Sequence, residues 1–452
     1  MLVEATSLVS CGGRVIEDAS LLEVGGQGGR GGQVAGGNGP RPDDPEPTVP
    51  TSDVTGLTTL RPMLLTADAE GLVLAVAETS ASEIGPEDSS ERAVVVTKWA
   101  PAGRQLARWV YVRAGRTGAA VVDAAGELVV TGQLTDAVDF GGGVLAEYAQ
   151  GYYVVWLDEG TGTVVRQATS QWGDVEGATP RALTADRQGN VYVAGFGWGP
   201  SFVFVEQYSA QGARGWRRQF PACGEAAYAT DIEWTGADTV AVVGAFSCGI
   251  VIGDSTWVSD GVTTLGEPGQ SGFLAELDAE SGEPLFSMRF GRAVFDKAEQ
   301  IDVTAEGHYR VLGFASGASE IGGAVVEAAT DGSLFVADLN RDGVANWVEV
   351  GDGTSFARGS TTSPEGVTYL AGSVPERRYA GEADSAVFAV APEDGIRTLW
   401  TAPTRSAGAR TVVLDGSGNL WVSGEREPAT DVGEEELSTL DGNAYLVRLE
   451  SD

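Results

Sequence analysis

The sequence predicts an all-β chain: a seven-bladed β-propeller of four-stranded antiparallel blades behind a disordered N-terminal tether. Three observations predict it. A turn–strand frame recurs seven times. No useful stretch keeps apolar residues at helical spacing without a glycine or proline inside it. The frames return every roughly 50–70 residues, enough chain for four strands and their turns.

The frame is a turn glycine, an alternating apolar strand and a second glycine six residues on. Its best copies are Gly189-Asn190-Val191-Tyr192-Val193-Ala194-Gly195, Gly126 to Gly132 and Gly418 to Gly424; Gly307 to Gly313 and Gly366 to Gly372 follow the same plan. Two copies are degenerate. Residues 71–77 keep only the first glycine, and residues 238–244 keep only the second.

Upstream of each frame lies a short strand that ends in several copies on an aspartate (Asp123, Asp186, Asp415). An aspartate there suits a tight turn, because its side chain reaches its own backbone two residues on. Downstream an apolar residue plus glycine recurs, as in Ile84-Gly85, Phe140-Gly141, Ile252-Gly253, Ile321-Gly322 and Val432-Gly433, with Ala380-Gly381 weaker. The third unit alone lacks this insert and has Pro200-Ser201-Phe202 in its place. A third strand (for example Tyr152 to Asp158) and a fourth, often with an aromatic residue (Trp109, Trp216, Trp347, Trp400), complete the unit. Such a sheet cannot bury both faces alone and must stack on its neighbours around an axis. The last unit stops after its third strand. Residues 54–60, Val-Thr-Gly-Leu-Thr-Thr-Leu, are expected to pair onto that blade and close the ring, which would remove two open sheet edges.

The series of apolar strand, Asp, Gly-Asn-Val-Tyr-Val-x-Gly, apolar-Gly insert and Phe-Val-x-x-Leu-Asp strand resembles the bacterial secreted seven-bladed beta-propeller repeat over about residues 60–452. That resemblance implies the fold and export. It implies no activity, since the family is largely uncharacterised.

Residues 1–53 read as a tail and linker, and residues 54–452 as the propeller. Residues 25–39 are almost all glycine, and residues 40–50 are rich in proline and acid. Together they make a flexible and then a semi-extended spacer. Leu8-Val9-Ser10-Cys11 resembles a lipoprotein lipobox, which implies lipidation at Cys11. The residues before it carry no Lys or Arg and include Glu4, which a signal peptide would not. An incidental cysteine in a disordered tail is the other reading.

With 64 acidic and 29 basic residues the net charge is −35, a surface that repels nucleic acid and anionic membrane. No run of 18 apolar residues occurs. Three cysteines fit neither a zinc ribbon nor a disulfide scaffold.

Chemistry-bearing candidates are few. Asp338, Asn340 and Asp342, with Gly343 and the more distant Glu349, match the spacing of a calcium loop; propellers of other families carry Ca2+ in such hairpins. The same residues also read as a plain turn between third and fourth strands. Cys223 and Cys248 fall at the same face on adjacent blades, where a disulfide is geometrically open to them; two separate small core residues are the alternative. The single histidine, His308, lacks a relay partner in sequence. Trp172, Trp198 and Trp257 lie off the frame, as if in loops that could meet a carbohydrate or peptide. Acids in the inserts, among them Asp136, Asp139, Asp254, Glu320, Glu382, Asp384 and Asp431, form either a solvated rim or paired carboxylates. The expected function is a non-catalytic, exported cell-envelope module, monomeric, that binds a protein or glycan. The alternative is a propeller enzyme acting on glycans, a hydrolase or lyase with carboxylates at one mouth of the ring.

Overall fold

The computed structural model describes residues 64–450, except 69, 81–91, 113, 135–137, 146–150, 173–176, 198–200, 224–225, 260–268, 293–294, 331, 353–354, 376–382, 393, 407 and 426–443. The lipobox with Cys11, the linker and residues 54–60 lie outside the described residues, as does Trp198. No helix occurs among the described residues; the chain there is strand and turn.

Seven antiparallel sheets follow one another along the chain. Blade 1 comprises Leu64–Ala67, Val73–Ser80, Arg92–Trp99 and Gln105–Val112. Blade 2 comprises Ala119–Val122, Glu127–Leu134, Gly151–Asp158 and Val164–Gln171. Blade 3 comprises Ala178–Ala185, Val191–Gly197, Phe202–Tyr208 and Arg214–Cys223, and blade 4 Ala227–Trp234, Thr239–Ser247, Gln270–Asp278 and Pro284–Phe290. Blade 5 comprises Lys297–Val303, Tyr309–Ala315, Ser333–Leu339 and Ala345–Val350. Blade 6 comprises Phe356–Thr362, Thr368–Pro375, Ala383–Ala391 and Gly395–Ser406. Blade 7 has three strands among the described residues: Ala409–Leu414, Leu420–Glu425 and Ala444–Leu449.

The seven first strands touch one another in cyclic order, and that of blade 7 touches that of blade 1, so they surround the axis. The core is divided the same way. Seven apolar clusters each bridge one pair of adjacent blades, the last joining Trp421, Ala444 and Leu446 of blade 7 to Val73, Ala75 and Trp99 of blade 1. Each sheet thus buries its two faces only against its neighbours, which is why no single repeat is a folding unit.

The frame glycines do two different jobs. The first (Gly71, Gly126, Gly189, Gly307, Gly366, Gly418) has φ between +75° and +85°, a left-handed turn position. In front of it, Asp68, Asp123, Asp186 and Asp415 each accept two backbone N–H bonds through Oδ1, at two and four residues on. In two of the copies the other oxygen, which also accepts from the frame's asparagine, holds the aromatic residue: Tyr192 Oη donates to Asp186 Oδ2 at 3.0 Å, and Trp421 Nε1 donates to Asp415 Oδ2 at 2.9 Å.

The second glycine is needed for space. In blades 3 to 7 the first strand bulges opposite it, after Pro180, Ala229, Ala298, Ala357 and Ala409. A Cβ on Gly195, Gly244, Gly313, Gly372 or Gly424 would run into the carbonyl oxygen of Thr179, Tyr228, Lys297, Phe356 or Gly408, always sixteen residues earlier. The bulge turns an extra residue out of the ladder, and the glycine lets the two backbones close over it.

The apolar-Gly insert is an inter-blade wedge. Phe140, Ile252 and Ile321 are fully buried. Phe140 lies 5.2 Å from the ring of Tyr111 on blade 1 and 5.3 Å from Tyr153 on blade 2. In blades 4 and 5 the insert is a β-hairpin, Gly249–Ile252 with Ser255–Val258 and Ala318–Ile321 with Ala324–Glu327. The first of these adds to the outer strand of blade 3 through Ala222 and Cys223.

Candidate functional site

Asp338 sits at the end of a third strand and is buried. Its Oδ2 accepts from Arg310 Nη2 at 3.0 Å, and its Oδ1 accepts from Asn346 Nδ2 at 2.6 Å. Arg310 also lies 4.5 Å over the Trp347 ring. Asn340 Oδ1 is spent on the backbone N–H groups of Asp342 and Val344, while Asp342 points to solvent. Glu349 lies in the fourth strand.

Gly343 closes the turn against Met288 and Phe286 of blade 4, as Gly162 closes against Trp109 and Gly282 against Trp216. The same turn therefore recurs where no calcium spacing exists. A guanidinium already neutralises Asp338, and among the described residues no group of three or more His, Cys, Asp or Glu side chains is arranged to hold a metal. His308 precedes the second strand, with Nδ1 3.1 Å from Asp338 and 3.2 Å from Asn346.

Cys223 and Cys248 are joined by a disulfide with a Cα–Cα distance of 5.5 Å. It ties the end of blade 3 to the base of the blade 4 hairpin, and Cys248 takes φ 70° there.

The three off-frame tryptophans part company. Trp172 comes directly after the fourth strand of blade 2, outside any strand. It is buried between blades 2 and 3 against Phe202 and Phe204, with the Arg217 guanidinium 3.9 Å above its ring. Its place off the strand is as expected, but it does not face solvent: the third unit lacks its own wedge, and Trp172 fills that gap. Trp257 is on the blade 4 hairpin and half-buried, its Nε1 donating to Ser287 Oγ at 3.1 Å. It forms one wall of a 360 Å³ cleft between the two insert hairpins. Met288 floors the cleft, Gly291, Gly322, Gly323 and Gly343 leave its sides bare of side chains, and Arg289, Arg292 and Glu320 rim it. Arg292 pairs with Glu320, and Arg289 donates to the Val258 carbonyl. Of the insert acids, Asp139 caps its own turn through Gly141 and Gly143, and Asp136, Glu382 and Asp431 lie outside the described residues.

Sequence reading missed a belt of carboxylates on the first strands. Asp231 Oδ1 and Oδ2 accept the backbone N–H groups of Ile232 and of Ile301 on the next blade, each at 2.9 Å. Asp302 Oδ2 accepts from Ser360 Oγ at 2.9 Å and Thr362 Oγ1 at 3.1 Å on the blade after that. Glu233 Oε2 accepts from Thr184 Oγ1 of blade 3 at 3.4 Å. Gln300 accepts from Ser360 N in the register that Asp231 uses. Asp231 and Gln300 thus satisfy backbone N–H groups on the first strand of the next blade, and Asp302 and Glu233 take hydroxyls.

Enclosure by the ring disfavours the charged forms. Burial pushes Asp231 up to about 7, with the Asp302 charge adding to it against two backbone donors. Burial lifts Glu233 well above the ordinary range, with Asp231 and Asp302 adding, and raises Asp302 too. The only signal for this belt in sequence is an acid in an otherwise apolar first strand (Ala-Thr-Asp-Ile-Glu-Trp and Gln-Ile-Asp-Val), which looks the same as an exposed one.

No family model and no curated protein matches the chain. Solved structures resemble it distantly. The polysaccharide lyase Uly1 is 10% identical, with 92% of this chain and 94% of that one covered at a TM-score of 0.45. The quinohemoprotein alcohol dehydrogenase of Comamonas testosteroni is 12% identical, covering 87% of this chain and 75% of that one at 0.43. A protein of unknown function from Dyadobacter fermentans is 10% identical, covering 88% and 98% at 0.43. Likenesses this distant carry no argument about activity.

Proposed function

We propose that the protein is an exported, non-catalytic binding or scaffolding module of the cell envelope, and that the cleft beside Trp257 takes a glycan. The observation that carries this reading is the cleft itself. An indole fixed edge-on by Ser287 leaves a ring face beside a wall of glycines, where a sugar ring can approach closely, with charged rim groups to bond its hydroxyls. Export is supported by the disulfide, which persists in oxidising compartments, and by the resemblance to the secreted repeat family. Lipidation at Cys11 belongs to the same proposal.

The test is a glycan-array screen with the chain from residue 54 onward, repeated with Trp257→Ala. The reading expects retained glycans whose signal falls at least about tenfold in the variant, the scale of a lost stacking contact. Glycan retention indifferent to Trp257→Ala would remove the cleft from the proposal.

The second reading, a glycan hydrolase or lyase, draws on the raised carboxyls of Asp231, Glu233 and Asp302 from two blades. It ranks behind because Asp231 and Asp302 are already spent on neighbouring blades. Reducing-end release from glycans that is abolished by Glu233→Gln would reverse that order.

A further inference from the structure

We infer a second binding site, for a carboxylate-bearing sugar, in the cleft between blades 2 and 3. The site follows from the missing insert of the third unit. At the junctions of blades 1 and 2, 3 and 4, and 4 and 5, an apolar insert residue fills the gap between neighbouring sheets. At blades 2 and 3 only Trp172 fills the inner part. The outer part stays open as a 520 Å³ cleft lined by Thr169, Gln171, Tyr208 and Arg214.

The floor of the cleft is built, and its charge is unbalanced. Glu206 is wholly buried and accepts from the hydroxyls of Tyr152 and Tyr208, the latter at 3.1 Å, and from Arg217 Nε. Arg217 is held in turn by Ser170 Oγ at 2.7 Å and by the Trp172 face. Glu206 thus accepts three hydrogen bonds from these groups. Arg214 stands above it at 3.9 Å, with half its side chain exposed toward the cleft.

Two guanidinium groups therefore share one carboxylate that already accepts three hydrogen bonds, in a chain of net charge −35. A planar fork with donors to spare selects a carboxylate, and the polar residues Thr169 and Gln171 along the same cleft suit a hydroxyl-rich ligand. An acidic peptide offers the charge without the hydroxyls. This site is independent of the Trp257 cleft, which lies between blades 4 and 5.

The test is calorimetric titration of the full chain with trigalacturonate, cellotriose and triglutamate, in parallel on Arg214→Ala, Arg214→Lys and Trp257→Ala. The inference expects trigalacturonate to bind, Arg214→Ala to weaken it at least about tenfold, and Arg214→Lys to fall between, because lysine keeps the charge and loses the fork. Raising NaCl to about 0.5 M should weaken binding as well. Trp257→Ala should leave trigalacturonate binding unchanged, which separates this site from the other. Absence of trigalacturonate binding, equal binding of cellotriose or triglutamate, or indifference to Arg214→Ala would each overturn it. Arg214 is half-exposed, so unchanged thermal unfolding of its variants serves as the folding control.

Discussion

Two alanine substitutions in one frame of blade 6 separate the two jobs of glycine. Gly366→Ala and Gly372→Ala remove the first and second glycine of the same seven-residue frame. At Gly366 a Cβ meets nothing within 4 Å, but the backbone has φ +85°. The cost is left-handed strain alone, about 1–2 kcal/mol. At Gly372 a Cβ runs into the Phe356 carbonyl and stands 2.8 Å from Ala357 Cα, where ordinary contact is ~3.5 Å.

Every one of those neighbours is backbone of the first strand, so no rotamer change relieves the clash. That strand is itself pinned, because a Cβ on Gly359 beside it would meet the Arg410 carbonyl of blade 7 at 2.5 Å. The cost should sit at the top of the overpacking range, ~3 kcal/mol. Equilibrium unfolding in guanidinium measures both, with far-ultraviolet circular dichroism and tryptophan fluorescence run side by side to test for a single transition. The expected order is wild type, then Gly366→Ala, then Gly372→Ala. If Gly372→Ala lies within about 0.5 kcal/mol of wild type, or costs no more than Gly366→Ala, the close approach at the bulge is not what selects glycine.

Four more outcomes are expected. Asp231 titrates near 7 when folded and near 4 when unfolded, so the folded state holds the extra proton between those values; its contribution is complete below about pH 4 and is lost as pH rises through 7. Asp231→Asn keeps an acceptor for Ile301 N and should raise stability at pH 8 by about 1–3 kcal/mol with little change at pH 4; equal effects at both would show that the carboxyl is not strained by enclosure. Cys223 and Cys248 close a loop of 25 residues, so the paired serine variant should lose about 3 kcal/mol, and a reductant should move wild type to the same denaturation midpoint and leave the variant where it was. CaCl2 followed by EGTA should leave the melting temperature in place, and a rise of several degrees with Ca2+ would put an ion at Asp338 and Asn340 after all. Deleting residues 1–60 should lower the melting temperature of the whole ring if residues 54–60 close the last blade, as the sequence predicts; an unchanged melt would end the closure argument.

How much was legible before folding differs from residue to residue. The frame announces itself because both of its glycines answer local demands, a positive φ at Gly189 and the sixteen-residue echo of Thr179 at Gly195. The apolar-Gly insert was visible as a pattern, but its purpose was not. Phe140 acquires a reason only when Tyr111 of the preceding blade arrives against it. The burial of Trp172 was not legible because its partners, Phe202, Phe204 and Arg217, come from the next unit. The Asp338 to Gly343 spacing gives no sign that Arg310, from the neighbouring strand, reaches the same carboxylate.

By itself the sequence determined the strand content, the count of seven sheets and the positions of their turns. These depend on local backbone conformation and on alternation, which a repeat states seven times over. The tertiary structure decided which polar groups stand together. Asp231, Glu233 and Asp302 share one enclosure, and Arg214 sits above a satisfied Glu206, because a closed ring brings neighbouring units into side-by-side register. Proton affinity and ligand choice depend on distance and enclosure in three dimensions, and neither is a property of a residue's neighbours along the chain.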